Sequence, residues 1–178
     1  MTAAGESALI VPVDVPMAMR RLRDRMDPSA AIGVPAHITL LYPFLPPDGV
    51  DSAVKAQVAR IVSAATAFPF MLEHVQRWPN VVCLLPQPSL SFSRLIRQLA
   101  AAFPDYPPYG GAVALPDIVP HLTIAHTPRI DYLDAAEHAL LALVPVPAFC
   151  REVALIAHGP GERWRVVSGF SLAADTVG

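Results

Sequence analysis

Two short stretches, "HITL" at residues 37–40 and "HLTI" at residues 121–124, repeat one order of histidine, apolar residue, threonine and apolar residue. In a β-strand, successive side chains point to opposite faces, so each histidine shares a face with the threonine two positions later. The apolar neighbours then point into the interior. One such tetrapeptide carries little weight, but two in a chain of 178 residues predict a duplicated structure whose halves each present an imidazole and a hydroxyl.

The order of the predicted elements supports this duplication, because each half has a strand with the motif, then a helix, then a hairpin. The predicted strands and hairpins cover residues 7–13, 37–44, 69–86, 121–127 and 150–172, and the predicted helices cover residues 16–26, 52–66, 89–102 and 131–143. Asp51 is the expected cap of the second helix. We predict an α+β, bilobal, pseudo-two-fold fold in which two antiparallel sheets form a central cleft with helices outside. Residues 1–178 would form a single domain of two intertwined lobes.

Composition limits the classes of partner. Hydrophobic residues make up 53% of the chain and charged residues 16%, which argues against disorder. The formal charge of −2 lacks the basic excess of a general nucleic-acid binder. A small nucleotide or one RNA end, held by a few groups, remains compatible with this charge.

The cysteines and the apolar segments indicate the compartment. Cys83 and Cys150 do not form a CxxC pair, so we expect buried free thiols and neither a disulfide framework nor a zinc knuckle. We find no secretory signal pattern and no apolar run approaching the ~20 residues of a membrane span. The expectation is a cytoplasmic monomer with no membrane segment.

Two imidazoles that face each other across a cleft suit the cleavage of phosphate esters. His37 and His121 have a reference pKa near 6.5, so one can accept a proton while the other donates one. The hydroxyls of Thr39 and Thr123 can hold phosphate oxygens as negative charge builds on them. Neither a metal nor a covalent enzyme intermediate is required for this chemistry.

The paired motifs resemble the 2H phosphoesterase superfamily, which includes bacterial 2′-5′ RNA ligase-like proteins and cyclic nucleotide phosphodiesterases. Its signature is two copies of His-x-Thr/Ser-x with a hydrophobic last residue, and the order of elements also fits from about residue 7 to residue 172. The resemblance implies that His37 and His121 are the acid–base pair and that Thr39 and Thr123 anchor phosphate. It implies no cofactor, and a nucleotide or RNA end with a cyclic phosphate or a 2′-5′ linkage as substrate.

For hydrolysis of a 2′,3′-cyclic phosphate, the provisional assignment makes His121 the base on water and His37 the acid on the departing ribose oxygen. The reverse assignment stays open.

A third phosphate ligand has two candidates after the second motif. Members of the superfamily often carry a basic residue there, and this chain offers His126 and Arg129. Strict alternation places His126, five residues after its motif histidine, on the opposite face of the strand. It places Tyr42, five residues after the first motif histidine, in the core in the same way. Arg129 is therefore the predicted ligand, with a twist or bulge as the condition under which His126 would replace it.

Two aromatic residues are candidates for substrate binding. Trp164 on the last hairpin could form one wall of a base-stacking slot, as aromatics do for single-stranded nucleotides. Tyr109 lies in a loop rich in Pro, Tyr and Gly before the second motif. Ordinary core packing and turn structure are the competing interpretations of these two residues.

Three alternative functions remain at this point. A metal-dependent hydrolase would use the histidines as ligands, but the chain has no HExxH or HxH motif, so we predict no metal site. A non-catalytic module could use the same cleft to bind a nucleotide or an RNA end. In the third alternative, the two motifs are coincidental edge strands of a fold without a ligand.

Overall fold

The computed structural model describes residues 5–174, which form five α-helices and eight β-strands. The strands are β1 (Glu6–Pro12), β2 (His37–Leu41), β3 (Phe68–Trp78), β4 (Val81–Gln87), β5 (Leu122–His126), β6 (Val146–Cys150), β7 (Glu152–His158) and β8 (Arg165–Ser171). The helices are α1 (Met17–Met26), α2 (Pro28–Ala31), α3 (Ser52–Ser63), α4 (Leu90–Ala102) and α5 (Ile130–Leu141).

The strands form two four-stranded sheets, with the orders β2-β1-β7-β8 and β5-β4-β3-β6. Every neighbouring pair within these sheets is antiparallel. The predicted α+β fold with two antiparallel sheets is therefore confirmed. Each motif strand, β2 or β5, lies at one edge of its sheet.

Apart from the short helix α2 and the edge strand β6, the duplicated unit is strand–helix–strand–helix–strand, formed by β1-α1-β2-α3-β3 and by β4-α4-β5-α5-β7. The third strand of each unit leaves its own sheet: β3 pairs with β4, and β7 pairs with β1. The helices cross over too, since α1 packs against β5 and α4 packs against β2. The predicted order of motif strand, helix and hairpin is present in each half, with β6 as an added strand in the second. The β3–β4 hairpin also joins the two structural units.

Both sheets contribute to the larger of two hydrophobic clusters found among the described residues. Leu9 and Leu40 enter it from the first sheet, and Leu84 and Leu122 enter it from the second, all with at most 1% of their surface exposed. From this shared core we infer that the two lobes fold as one unit, because neither lobe buries its apolar face alone.

The strand β6 was not predicted from the sequence, because it contains a proline. Pro147 lies within β6, where the missing N–H would interrupt a central strand. The strand is tolerated because β6 is the edge of its sheet and pairs only with β3. The predicted cap is confirmed: the Asp51 carboxylate accepts a hydrogen bond from the Val54 N–H at 2.8 Å.

The expectation of two free thiols also holds. Cys83 and Cys150 are both buried and unpaired, and burial raises the pKa of each thiol to about 12. Among the helices formed by residues 5–174, none has the length and apolarity needed to cross a bilayer.

Candidate active site

The two motif strands lie side by side, although they belong to different sheets. β2 and β5 are edge strands of their sheets and pack against each other where the sheets meet. His37 begins β2, and His121 immediately precedes β5. Repulsion from His121 is one of the causes that lower the pKa of His37, so the two imidazoles are close enough to interact electrostatically.

The His37 ring is held in one tautomer. Its Nδ1–H donates to the Pro35 carbonyl at 2.7 Å, and its Nε2 faces the Thr39 hydroxyl at 3.1 Å. The hydroxyl therefore donates to the Nε2 lone pair. The pKa of His37 is lowered to about 4, chiefly by burial and in part by the charge of Arg23, against the opposing effect of the Pro35 carbonyl. His37 is consequently neutral at pH 7, with its basic nitrogen beside Thr39.

His121 repeats the same device with different surroundings. Its Nδ1–H donates to the Val119 carbonyl at 2.8 Å, again two residues before the histidine. Its ring stands edge-on to the Trp78 indole, with centroids 4.8 Å apart and an interplanar angle of 86°. Burial lowers the pKa of His121 and the Val119 carbonyl opposes this shift. Thr123 follows two positions later and, like His121, is half-buried.

A β-bulge at the fourth position of each motif corrects the expected facing of two residues. Leu40 is the extra residue where β1 pairs with β2, and Ile124 is the extra residue where β4 pairs with β5. Each bulge advances the strand by one position, which returns the next side chains to the face of the motif histidine. Tyr42 and His126 therefore point into the cleft, and the prediction that strict alternation hides them was wrong.

Beside His37 lies a cavity of about 380 Å³, into which Tyr42 and His126 also face. Its floor is apolar, because Ala8, Ile10 and Ile156 of the first sheet face it. Polar and aromatic side chains form its rim, and these are Glu6, Ser29, His37, Thr39, Tyr42, His126 and Trp164. A concave apolar cavity with a few polar groups is the usual form of a small-ligand site.

A buried ion pair supports the wall of this cavity. Arg23 and Asp27, each 4% exposed, lie 3.0 Å apart, and the Arg23 guanidinium also donates to the Val34 carbonyl at 2.8 Å and to the Ser29 hydroxyl at 2.9 Å. Breaking a buried pair by removing one partner leaves an unpaired charge. These bonds therefore tie α1 to the segment that carries Ser29 and Val34.

A glycine allows the opposite wall to approach. Gly33 has φ +98°, and a Cβ there would lie 2.7 Å from the Trp164 carbonyl oxygen. The Trp164 N–H donates to the Ile32 carbonyl at 2.9 Å. Only glycine combines this backbone conformation with such a close contact, and Trp164 is held over the cavity as a result.

The three remaining predicted site residues occupy different places. Trp164 lines the cavity. Tyr109 is half-buried and adopts φ +55°; its N–H donates to the Tyr42 carbonyl, and burial raises the pKa of its hydroxyl. Arg129 lies at the start of α5, where its guanidinium pairs with Asp131 at 2.6 Å. His126, and not Arg129, is the basic residue that lines the cavity.

Potential metal ligands do not converge in the described part of the chain. Within residues 5–174, no group of three or more His, Cys, Asp and Glu side chains is arranged to hold a metal ion. The side chains on the rim of the cavity offer imidazoles, hydroxyls, aromatic rings and the Glu6 carboxylate as chemical groups.

Comparison with known families decides the classification. A model of the 2′-5′ RNA ligase superfamily matches residues 11–162, a span that contains both motifs. The chain belongs to this superfamily. Membership confirms the resemblance to the 2H phosphoesterases, which are phosphodiesterase-type enzymes of RNA and nucleotides.

Solved structures share the fold at low sequence identity. LigT of E. coli, in complex with NADP+, is 19% identical with a TM-score of 0.54, over 96% of this chain and 98% of LigT. TT0787 of Thermus thermophilus is 16% identical with a TM-score of 0.57, over 96% and 99% of the two chains. Usb1 of Kluyveromyces marxianus is 12% identical with a TM-score of 0.54, over 96% and 99%. No curated protein matches the chain.

Proposed function

We propose that this protein is a metal-independent phosphodiesterase that hydrolyses a 2′,3′-cyclic phosphate or a 2′-5′ phosphodiester on a nucleotide or an RNA end. The observation that carries the proposal is the matched pair of motif strands, each with an imidazole whose Nδ1–H is fixed by the carbonyl two residues earlier. Both rings thus keep Nε2 for chemistry, and their strands meet at the junction of the two sheets.

The pKa of His37 and the different surroundings of the two histidines favour one division of roles. His37, with a pKa lowered to about 4, is neutral at pH 7 and suits the base. His121 differs from His37 in two respects among the described residues. The Thr123 hydroxyl makes no hydrogen bond to its ring, and the Arg23 charge is not a cause of its pKa shift. We therefore assign the role of acid to His121, although burial lowers its pKa as well; this is the reverse of the provisional assignment from the sequence.

The reaction then proceeds by one in-line displacement. His37 Nε2 removes a proton from water as the water oxygen forms its bond to phosphorus. The bond from phosphorus to one ribose oxygen breaks, and protonated His121 gives its proton to that oxygen. Substrate phosphate draws the Thr39 hydroxyl away from His37 Nε2, which frees the lone pair. Exchange with solvent returns each histidine to its starting state.

Phosphate stabilisation comes from groups around the two imidazoles. Thr39 and Thr123 donate to the non-bridging oxygens, and the His126 imidazole adds a third donor from the cavity rim. The assignment of Arg129 to this role stays a prediction. Its guanidinium is paired with Asp131 and would have to leave that carboxylate to contact phosphate.

The nucleotide nature of the substrate is supported by the cavity and by the related proteins. The cavity has an apolar floor and an aromatic rim next to His37, as a nucleoside requires. LigT structures contain NADP+, 3′-AMP or ATP, and a Usb1 structure contains uridine monophosphate. Two buried free thiols suit a reducing cytoplasm, where the protein would act as a monomer.

The test is a turnover screen over 2′,3′-cyclic nucleotides and 2′-5′-linked dinucleotides, with and without EDTA. We expect hydrolysis of at least one class with a rate that the chelator leaves unchanged. Loss of activity with EDTA, restored by a divalent metal, would contradict metal independence. Tight nucleotide binding without turnover would favour the alternative, a non-catalytic module that binds nucleotides or RNA ends.

A further inference from the structure

A carboxylate stands on the rim of the cavity, where phosphate chemistry gives it no role. Glu6 lines the cavity with its side chain 48% exposed. Its Oε2 accepts a hydrogen bond from the Tyr42 hydroxyl at 3.0 Å and lies 3.6 Å from His158 Nε2. Both contacts fall on one oxygen, and Oε1 takes part in neither. A carboxylate is an acceptor only, so its ligand must bring N–H or O–H donors.

The position of Glu6 along β1 separates it from the reacting phosphate. Ile10 lies opposite Thr39 in the β1–β2 pair, and Glu6 precedes Ile10 by four residues on the same strand. At roughly 3.3 Å per residue, the two positions are about 13 Å apart along the strand. A phosphate beside Thr39 therefore avoids the Glu6 charge, while the base of the same nucleotide extends toward it.

Aromatic rings lie beside this carboxylate. The Tyr42 and Trp164 rings meet edge to face, with centroids 6.3 Å apart, and Trp164 also packs against His158 at 4.6 Å. Ala8, Ile10 and Ile156 form the apolar floor below them. Aromatic faces stack on any nucleobase, so they supply affinity without choosing among bases. The choice falls to Glu6, the one carboxylate among the described residues that line the cavity.

We propose that Glu6 makes this cavity selective for guanine, an inference that rests on the proposed function for the placement of phosphate at Thr39. Guanine presents two adjacent donors, N1–H and the N2 amino group, which match the two oxygens of a carboxylate. Adenine and cytosine present one amino donor beside a ring acceptor. Uracil presents one N–H between two carbonyl oxygens, and these repel the carboxylate. Guanosine substrates are therefore preferred and uridine substrates are the poorest.

The experiment compares guanosine and uridine in two assays. The first measures kcat/KM for guanosine and uridine 2′,3′-cyclic phosphate, and the second measures Kd for guanosine and uridine 3′-monophosphate by calorimetry. The variants are Glu6→Gln, Trp164→Ala and, as a matched control, Glu152→Gln, an exposed carboxylate of β7 in the same sheet that does not line the cavity.

We expect the wild type to favour guanosine over uridine by about tenfold or more, as for a hydrogen bond to a charged group. Glu6→Gln should reduce this ratio to about twofold or less. Trp164→Ala should weaken both nucleotides by a similar factor of about ten and keep the ratio. Glu152→Gln should leave the ratio and the affinities unchanged.

The two assays separate this inference from the proposed function. A guanosine preference in binding that Glu6→Gln abolishes supports the inference even if no substrate is turned over, in which case only the proposed reaction fails. Turnover with equal preference for both bases, or a preference that survives in Glu6→Gln, overturns the inference and leaves the reaction standing. Failure of the wild type to bind either monophosphate also overturns it.

Discussion

The strand of His37 and the strand of His121 share a backbone plan and differ in what surrounds it. Both histidines donate from Nδ1 to the carbonyl two residues earlier, and both strands bulge at the fourth motif position. His37, however, is bonded to its threonine and lies beside the cavity, whereas His121 packs edge-on against Trp78. Duplication thus supplies two imidazoles that are held in the same way, and their neighbours give them different surroundings.

The largest effect should follow from removing either imidazole. His37→Ala and His121→Ala should each lower kcat on a 2′,3′-cyclic nucleotide by about 10²–10⁴-fold, the usual contribution of a positioned acid or base. His138→Ala is the control, because His138 is exposed on α5 and lies outside the cleft. Full activity in either motif variant of an active enzyme would break the two-histidine mechanism.

A second effect should separate the two histidines by stability. The pKa of His37 lies at about 4 in the folded protein and near 6.5 when the chain is unfolded, so the unfolded state binds the extra proton between these values. The free energy of unfolding contributed by this group is complete above pH 6.5 and is lost as the pH falls toward 4. The loss is at most about 3 kcal/mol, since the ring borders a solvated cleft.

Urea unfolding at several pH values between 7 and 4 measures this difference. His37→Gln should flatten the fall in the free energy of unfolding more than His121→Gln does, because the lowering of the His37 pKa has the additional cause of the Arg23 charge. Equal flattening by both variants would show that the two halves hold their histidines in equivalent surroundings.

The sequence predicted the motif strands and the α+β class because both depend on local alternation. Period two alone pairs His37 with Thr39, and the hydrogen bond between them bears this out. Placing two such strands together required the exchange of β3 and β7 between sheets, and long-range pairing leaves no local pattern in the chain. The hairpin predicted within residues 69–86 was correct, but it gave no indication that β3 belongs to the second sheet.

The bulges were the part of the site that strict alternation missed, although the sequence contains a signal for them. Two consecutive apolar residues follow each threonine, Leu40-Leu41 in one strand and Ile124-Ala125 in the other, and all four are buried. Strict alternation would bury only one residue of each consecutive pair. Two buried neighbours therefore indicate an extra residue, a β-bulge, in the strand. The cavity itself depends on Glu6, Val34 and Trp164, which are far apart in sequence and carried no signal of proximity.

The hydroxyls provide the next comparison between the halves. Thr39→Val should lower kcat by roughly tenfold to a hundredfold, because it removes a phosphate donor and the partner of His37 Nε2. Thr123→Val should cost about tenfold, since it removes a donor alone. Serine at either position should restore most of the rate by returning the hydroxyl. Steady-state kinetics on one cyclic nucleotide test this, and a larger loss at Thr123 would reverse the proposed asymmetry.

The smallest expected effect concerns the third phosphate ligand and decides between the bulge and strict alternation. His126 lines the cavity because the bulge at Ile124 turns it inward, whereas Arg129 is engaged by Asp131 and stacks over the Tyr132 ring at 3.8 Å. His126→Gln should raise KM by about three- to tenfold with little change in kcat, as for the loss of one hydrogen bond to a charged group. Arg129→Gln should change KM by less than about twofold, because its positive charge is already neutralised by an exposed ion pair. The opposite order of effects would show that Arg129, and not His126, contacts the phosphate. It would mean that the substrate draws the Arg129 guanidinium away from Asp131.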